Sequence, residues 1–162
     1  MRLVTYSAAD GADRLGALIE GDTAIVDLHK AKADPAFASM LALIEAGDDA
    51  LHGARAIVAT APGAAVIDAA SVTLRTPLPR PPQIRDCLCF EEHLKQAFTV
   101  MRKNRAALEP DPVAALREFE EKGLFAIPDV WYQQPIYYKA NRLAVIGTEE
   151  DVLWPAYAEM LD

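Results

Sequence analysis

Between residues 76 and 82 the chain reads Thr76-Pro77-Leu78-Pro79-Arg80-Pro81-Pro82. Proline fixes φ, lacks an N–H and pushes the residue before it out of the helical region, so neither a helix nor a central strand runs through this stretch. An extended, semi-rigid connector is expected instead. It divides the 162 residues into a small α+β domain over 1–76, a linker over 77–82 and a second domain over 83–162. That length suits one medium domain, or a small one with part of another. Hydrophobic residues make up 52% and charged residues 25%, enough apolar material for a core and against wholesale disorder.

Before the connector, Leu3 to Ser7 reads as a strand. Leu15 to Ile19 and Thr23 to Leu28 read as a hairpin turning at Glu20-Gly21-Asp22. Asp34-Pro35 is a helix start, and Phe37, Met40, Leu41 and Ile44 then form one helical stripe. Gly47 stops it, and Asp48-Asp49 cap a second helix through Leu51, Ile57 and Val58. Short strands follow around Val66-Ile67 and Ser71 to Leu74.

After the connector, Gln83 to Cys89 reads as a strand and Phe90 to about Asn104 as a helix with Phe90, Leu94, Ala97, Phe98 and Met101 on its apolar stripe. Asp111 and Gly123 bound a further helix from Pro112 to Lys122. Trp131 to Pro135 reads as a loop, and Ile136 to Lys139 and Leu143 to Ile146 as strands.

A formal net charge of −8 opposes general nucleic-acid or anionic-membrane binding, which needs a basic surface. No run approaches the roughly 20 apolar residues that span a bilayer, and Met1 to Tyr6 does not read as a signal peptide. Cys87 and Cys89 are the two cysteines. On a strand they share a face but cannot form an ordinary disulfide, and buried free thiols in a reducing cytoplasm are expected.

Three segments together resemble the fumarylacetoacetate hydrolase family. The opening, Arg2 to Tyr6 and Gly16 to Leu28, is similar to the start of its small N-terminal domain. Pro81-Pro82-Gln83-Ile84-Arg85-Asp86-Cys87-Leu88-Cys89-Phe90-Glu91-Glu92-His93 resembles its linker, strand and histidine-bearing helix. Tyr138-Lys139 through Ile146-Gly147-Thr148 resembles its later lysine segment. Two departures stand out: Phe90-Glu91 where many members have Asn-Tyr, and a long charged helical insertion, Arg102 to Lys122, suited to a lid or an oligomer contact.

The resemblance implies an α+β fold in which the small domain leads into the start of a mixed β-roll catalytic domain. It implies a metal-dependent hydrolase that cleaves the carbon–carbon bond of a 1,3-dicarbonyl acid, cytoplasmic and homodimeric, or paired with a chain carrying the rest of the domain. Mg²⁺, Mn²⁺ or Ca²⁺ is the implied cofactor. Asp86 is one ligand, and a Glu-x-Glu pair and a later Asp are expected beyond Asp162. A truncated or split enzyme is therefore expected, since half a β-roll leaves sheet edges open.

By the same resemblance His93 is the general base, because an imidazole can take a proton from water and return it to a leaving carbanion. Lys139 stabilises the enolate, and Tyr138 and Arg102 contact substrate. Arg102 conflicts with helical geometry: nine steps of about 100° put it opposite His93 on a continuous helix. Trp131, Tyr132 and Tyr137 suit a core or a pocket wall, and His29 and His52 read as surface or structural residues. Other expected readings are an isomerase or decarboxylase of hydroxy-dienoate acids and a non-catalytic fragment or subunit.

Overall fold

Three successive residues with positive φ, Glu20 (53°), Gly21 (65°) and Asp22 (77°), reverse the chain between β2 (Asp13–Ile19) and β3 (Ala24–Asp27). This is the expected hairpin, seen in a computed structural model that describes residues 1–159. β1 (Arg2–Ser7) pairs antiparallel with β2, and β4 (Val66–Asp68) and β5 (Thr73–Leu74) complete a five-stranded sheet in the order β4-β3-β2-β1-β5. The chain is an α+β protein.

Two short helical elements and one long helix cover this sheet. Asp27 caps α1 (Leu28–Ala31) by accepting from the Lys30 N–H at 2.8 Å. Asp34 caps a single 3-10 turn at Pro35–Phe37 instead of the long helix; Ser39 caps that one, α2 (Met40–Thr60). The later start shifts the helical phase. Phe37 is buried ahead of the helix, Met40, Leu43 and Ala54 are its buried residues, and Ile44 is exposed. Gly47 interrupts α2 with φ 74° and ψ −155°, backbone that only glycine adopts readily, so the stop read from sequence is a break within one helical run.

The core contains Leu15, Val26, Leu28, Phe37, Met40, Leu43, Ala54 and Ala65. At Gly16 a Cβ would collide with Ile25 and press on the Tyr6 ring, so glycine is what lets β2 lie this close to its neighbours. Beneath the sheet the Tyr6 hydroxyl donates to Asp27 Oδ2 at 2.7 Å. Burial first, and this bond second, hold the phenol well above its ordinary pKa.

The chain divides into two units, residues 1–82 with 141–159, and residues 83–140. Within the first, Thr5 Oγ1 donates to the Pro77 carbonyl at 2.7 Å and Leu78 packs against the core. Farther on, Arg142 Nη1 donates to the Pro81 carbonyl, and Arg75 pairs with Glu150. Leu143 to Ile146 is not a strand. Asn141 turns the chain, its side chain accepting from the Leu143 N–H and its carbonyl from the Ala144 N–H, which is the local competition asparagine offers to a ladder.

The second unit holds β6 (Arg85–Cys87), α3 (Glu91–Ala106), α4 (Pro112–Glu121), α5 (Val130–Gln133) and β7 (Tyr137–Lys139). Asp111 caps α4 through the Val113 and Ala114 N–H groups, and Gly123 follows it at φ 65°. Trp131 to Gln133 is a helical turn rather than a loop. Phe90 stands outside α3 as its N-cap and is 77% exposed, so Leu94 alone of the expected stripe is buried. Cys87 and Cys89 are both exposed, because the two-stranded β6–β7 ladder is not covered within its unit; the expectation of buried thiols fails here. No helix of the described residues is long and apolar enough to cross a membrane.

Candidate functional site

β6 and β7 pair antiparallel with Arg85 opposite Lys139, Asp86 opposite Tyr138 and Cys87 opposite Tyr137. Residues directly opposite share a face, and successive residues alternate. Asp86 and Tyr138 therefore share one face, while Lys139 lies on the other with Arg85, Cys87 and Tyr137. There the Arg85 guanidinium stands 4.7 Å from the Tyr137 ring centroid, a cation–π contact. The ladder brings the expected metal ligand and one expected substrate contact together and turns the expected enolate cation away from both.

Four residues after β6 ends, α3 begins, and His93 is exposed in its first turn. The turn is anchored on two sides. Trp131 Nε1 donates to the Leu88 carbonyl at 2.8 Å, and its ring meets Tyr132 edge-on with centroids 4.9 Å apart. The Tyr132 hydroxyl donates to Glu91 Oε1 at 2.8 Å, and Lys95 Nζ lies 3.1 Å from the same oxygen.

The hydrogen bond from Tyr132, then that from Lys95, holds the Glu91 carboxyl below its ordinary range. The same contacts with Glu91 raise Tyr132 and Lys95 above theirs. The sequence reading gives Glu91 no part in the site, because residues one or two apart on a helix do not face each other and so it cannot orient His93. The signal it missed is the Glu91–Lys95 spacing, an i,i+4 acid–base pair in the favourable order.

Arg102 falls on the face of α3 away from His93, as the nine-residue spacing requires. Lys95, Phe98, Thr99, Arg102, Phe125 and Tyr132 are among the residues around a cleft of about 450 Å³. Most of the guanidinium is already used. Nη1 donates to the Leu124 and Phe125 carbonyls at 3.3 and 3.0 Å, and Nη2 to Thr99 Oγ1 at 3.3 Å. Nε is buried with no hydrogen-bond partner. The side chain thus ties α3 to a chain reversal in which Phe125 has φ 56°. His93 and Arg102 are not brought together.

The residues present do not fit a resident divalent cation. Mg²⁺ and Ca²⁺ take six or more oxygens from carboxylates, carbonyls, waters and substrate, and a protein site gathers more than one such donor. No three His, Cys, Asp or Glu residues gather into a metal-holding group among the described residues, and Asp86 brings one exposed carboxylate facing a tyrosine. No protein-family model matches the chain, and no curated protein matches it.

Proposed function

We propose that this chain acts on a 1,3-dicarbonyl acid, cleaving a carbon–carbon bond by hydrolysis at the junction of β6 and α3. The supporting observation is local. The ladder presents Asp86 beside Tyr138, and six residues after Cys87 the first turn of α3 presents His93. Trp131 and Tyr132 pin that junction from the other side.

The chemistry follows from the imidazole. His93 takes a proton from water as the oxygen attacks one carbonyl carbon. The bond from that carbon to the central carbon then breaks, its electron pair leaving as an enolate. The imidazolium returns the proton to the carbon, and the products are two neutralised fragments, an acid and a ketone-bearing acid. In this reading Tyr138, opposite Asp86 in the ladder, hydrogen-bonds a substrate oxygen. Lys139 and Arg102 are left out of this constellation, because the strand pleat turns one away and the helical phase turns the other.

A second reading, a non-catalytic subunit that contributes part of a site, is favoured by the single carboxylate at Asp86. Turnover separates the two. Purified full chain, both without added metal and with Mg²⁺ or Mn²⁺, is given acylpyruvate or fumarylacetoacetate, and loss of enol absorbance is followed. A hydroxy-dienoate acid in parallel distinguishes hydrolysis from isomerisation or decarboxylation. The expected result is hydrolysis that falls on the order of a hundredfold or more in kcat for His93→Ala, with KM little changed. Wild-type turnover in His93→Ala removes His93 as the base, and no turnover by the wild-type chain removes the hydrolase reading.

A further inference from the structure

Free cysteine is among the most buried residue types, and an exposed pair at the end of β6 and just beyond it is unusual. Here both Cys87 and Cys89 are exposed. The Leu88 N–H donates to the Ile136 carbonyl at 3.0 Å, which continues the β6–β7 register one pair beyond Cys87. Phe90, the next residue after Cys89, is also extended, at φ −113° and ψ 107°. The two thiols therefore follow the period-two rule and share the face that carries Arg85, Tyr137 and Lys139.

Their spacing selects the chemistry. Two strand residues on one face have Cα atoms about 6.8 Å apart with near-parallel Cα–Cβ bonds. A disulfide needs Cβ atoms about 3.8 Å apart, so oxidation to one would require the strand to buckle. A metal between the sulfurs relaxes that demand, because two bonds of about 2.3 Å let the sulfurs sit about 4.6 Å apart. Rotation about the two Cα–Cβ bonds toward each other, which turns Cys87 Sγ away from the Arg85 carbonyl 3.9 Å from it, closes the remaining gap without moving the backbone. Arg85 and Lys139 on the same face offset the negative charge of a dithiolate complex.

We propose that Cys87 and Cys89 form a two-thiolate site for a soft monovalent cation, with Cu(I) the fitting ion. Thiolate ligands select Cu(I), and two of them complete a linear geometry. Zn²⁺ needs four donors, and no third His, Cys, Asp or Glu gathers with the pair among the described residues. Binding breaks two S–H bonds and forms two S–Cu bonds. Two protons go to solvent, and no electron is transferred.

The site is separate from the hydrolytic proposal, and its test reads metal rather than turnover. The full chain is titrated anaerobically with Cu(I) in competition with a chromogenic Cu(I) chelator. One Cu(I) per chain is expected, with affinity falling at least about a hundredfold in both Cys87→Ser and Cys89→Ser, since a lost ligand costs no less than a lost supporting contact. Zn²⁺ should not compete. Both side chains are exposed, so the serine variants keep the fold, which far-ultraviolet circular dichroism verifies. Unchanged affinity in either variant, two Cu(I) per chain, or one Cu(I) shared between two chains overturns the site. So does ready formation of a Cys87–Cys89 disulfide under mild oxidation.

Discussion

The sheet unit and the helical unit divide the work of the molecule unequally. In the first, Tyr6, Leu15, Ile25, Val26, Leu28 and Phe37 are almost wholly shielded from water. In the second, Leu94, Ala106 and Ala115 are the buried apolar residues, and Phe90, Leu108, Val113 and Tyr138 are exposed. A two-stranded ladder is marginal without a hydrophobic face to close it. Stability is concentrated in residues that carry no chemistry, while Asp86, His93, Tyr138 and both thiols stand where little apolar burial constrains them.

The sharpest way to break this contrast is to remove matched side chains from each unit. Phe37→Ala empties a fully enclosed position and is expected to cost about 3–5 kcal/mol. Leu94→Ala, in a site bordered by half-buried neighbours that can close up, should cost about 2 kcal/mol. Urea denaturation of the two variants measures both. An equal or larger loss at Leu94 would show that the helical unit is as tightly held as the sheet.

A smaller effect tests the polar bond inside the sheet unit. Tyr6→Phe leaves Asp27 Oδ2 buried without its donor and should cost about 1–3 kcal/mol at neutral pH. The Tyr6 pKa is raised in the folded state, so the phenol's contribution is fully present below its unfolded value. It is lost as pH rises through the folded one. Wild type should therefore lose stability relative to Tyr6→Phe in strong alkali, which denaturation series at several pH values will reveal. A constant difference between the two proteins at every pH would assign the loss to packing rather than to the bond.

The smallest expected change sits at Glu91. Its pKa is lowered in the folded state, so its contribution is present above the unfolded carboxylate value and fades as pH falls through the folded one. Once the carboxylate is protonated, the Tyr132 hydroxyl loses its charged acceptor. The environment of Trp131, edge-on to Tyr132, should then change. Trp131 fluorescence should show this transition in wild type and not in Glu91→Gln. The same transition in the variant would place its cause elsewhere.

Legibility in the sequence follows the range of the interaction. The hairpin at Glu20-Gly21-Asp22, the Asp111 cap and the opposition of His93 and Arg102 are settled within a few residues, and periodicity or turn chemistry reads them. The start of α2 was misplaced because Asp34-Pro35 and Ser39 both offer caps, and the burial of Phe37 against the sheet decides between them. The strand expected at Leu143 to Ile146 gave way to an asparagine turn. The exposure of the cysteines and the separation of Asp86 from Lys139 depend on which strand pairs with β6 and in what register. No local pattern carries that, and the anchoring of Tyr132 on Glu91, 41 positions away, is hidden for the same reason.

The hydrogen bond from Thr5 to the Pro77 carbonyl has a practical consequence for anyone dividing the molecule. A protease must draw a length of backbone into its groove, and here the proline run is stitched at one end to β1 and weighted by Leu78 packed against the core. The run is thus a seam rather than a slack tether. A sheet domain cut after residue 76 would lose both fastenings, whereas one ended at Pro82 keeps its own hem.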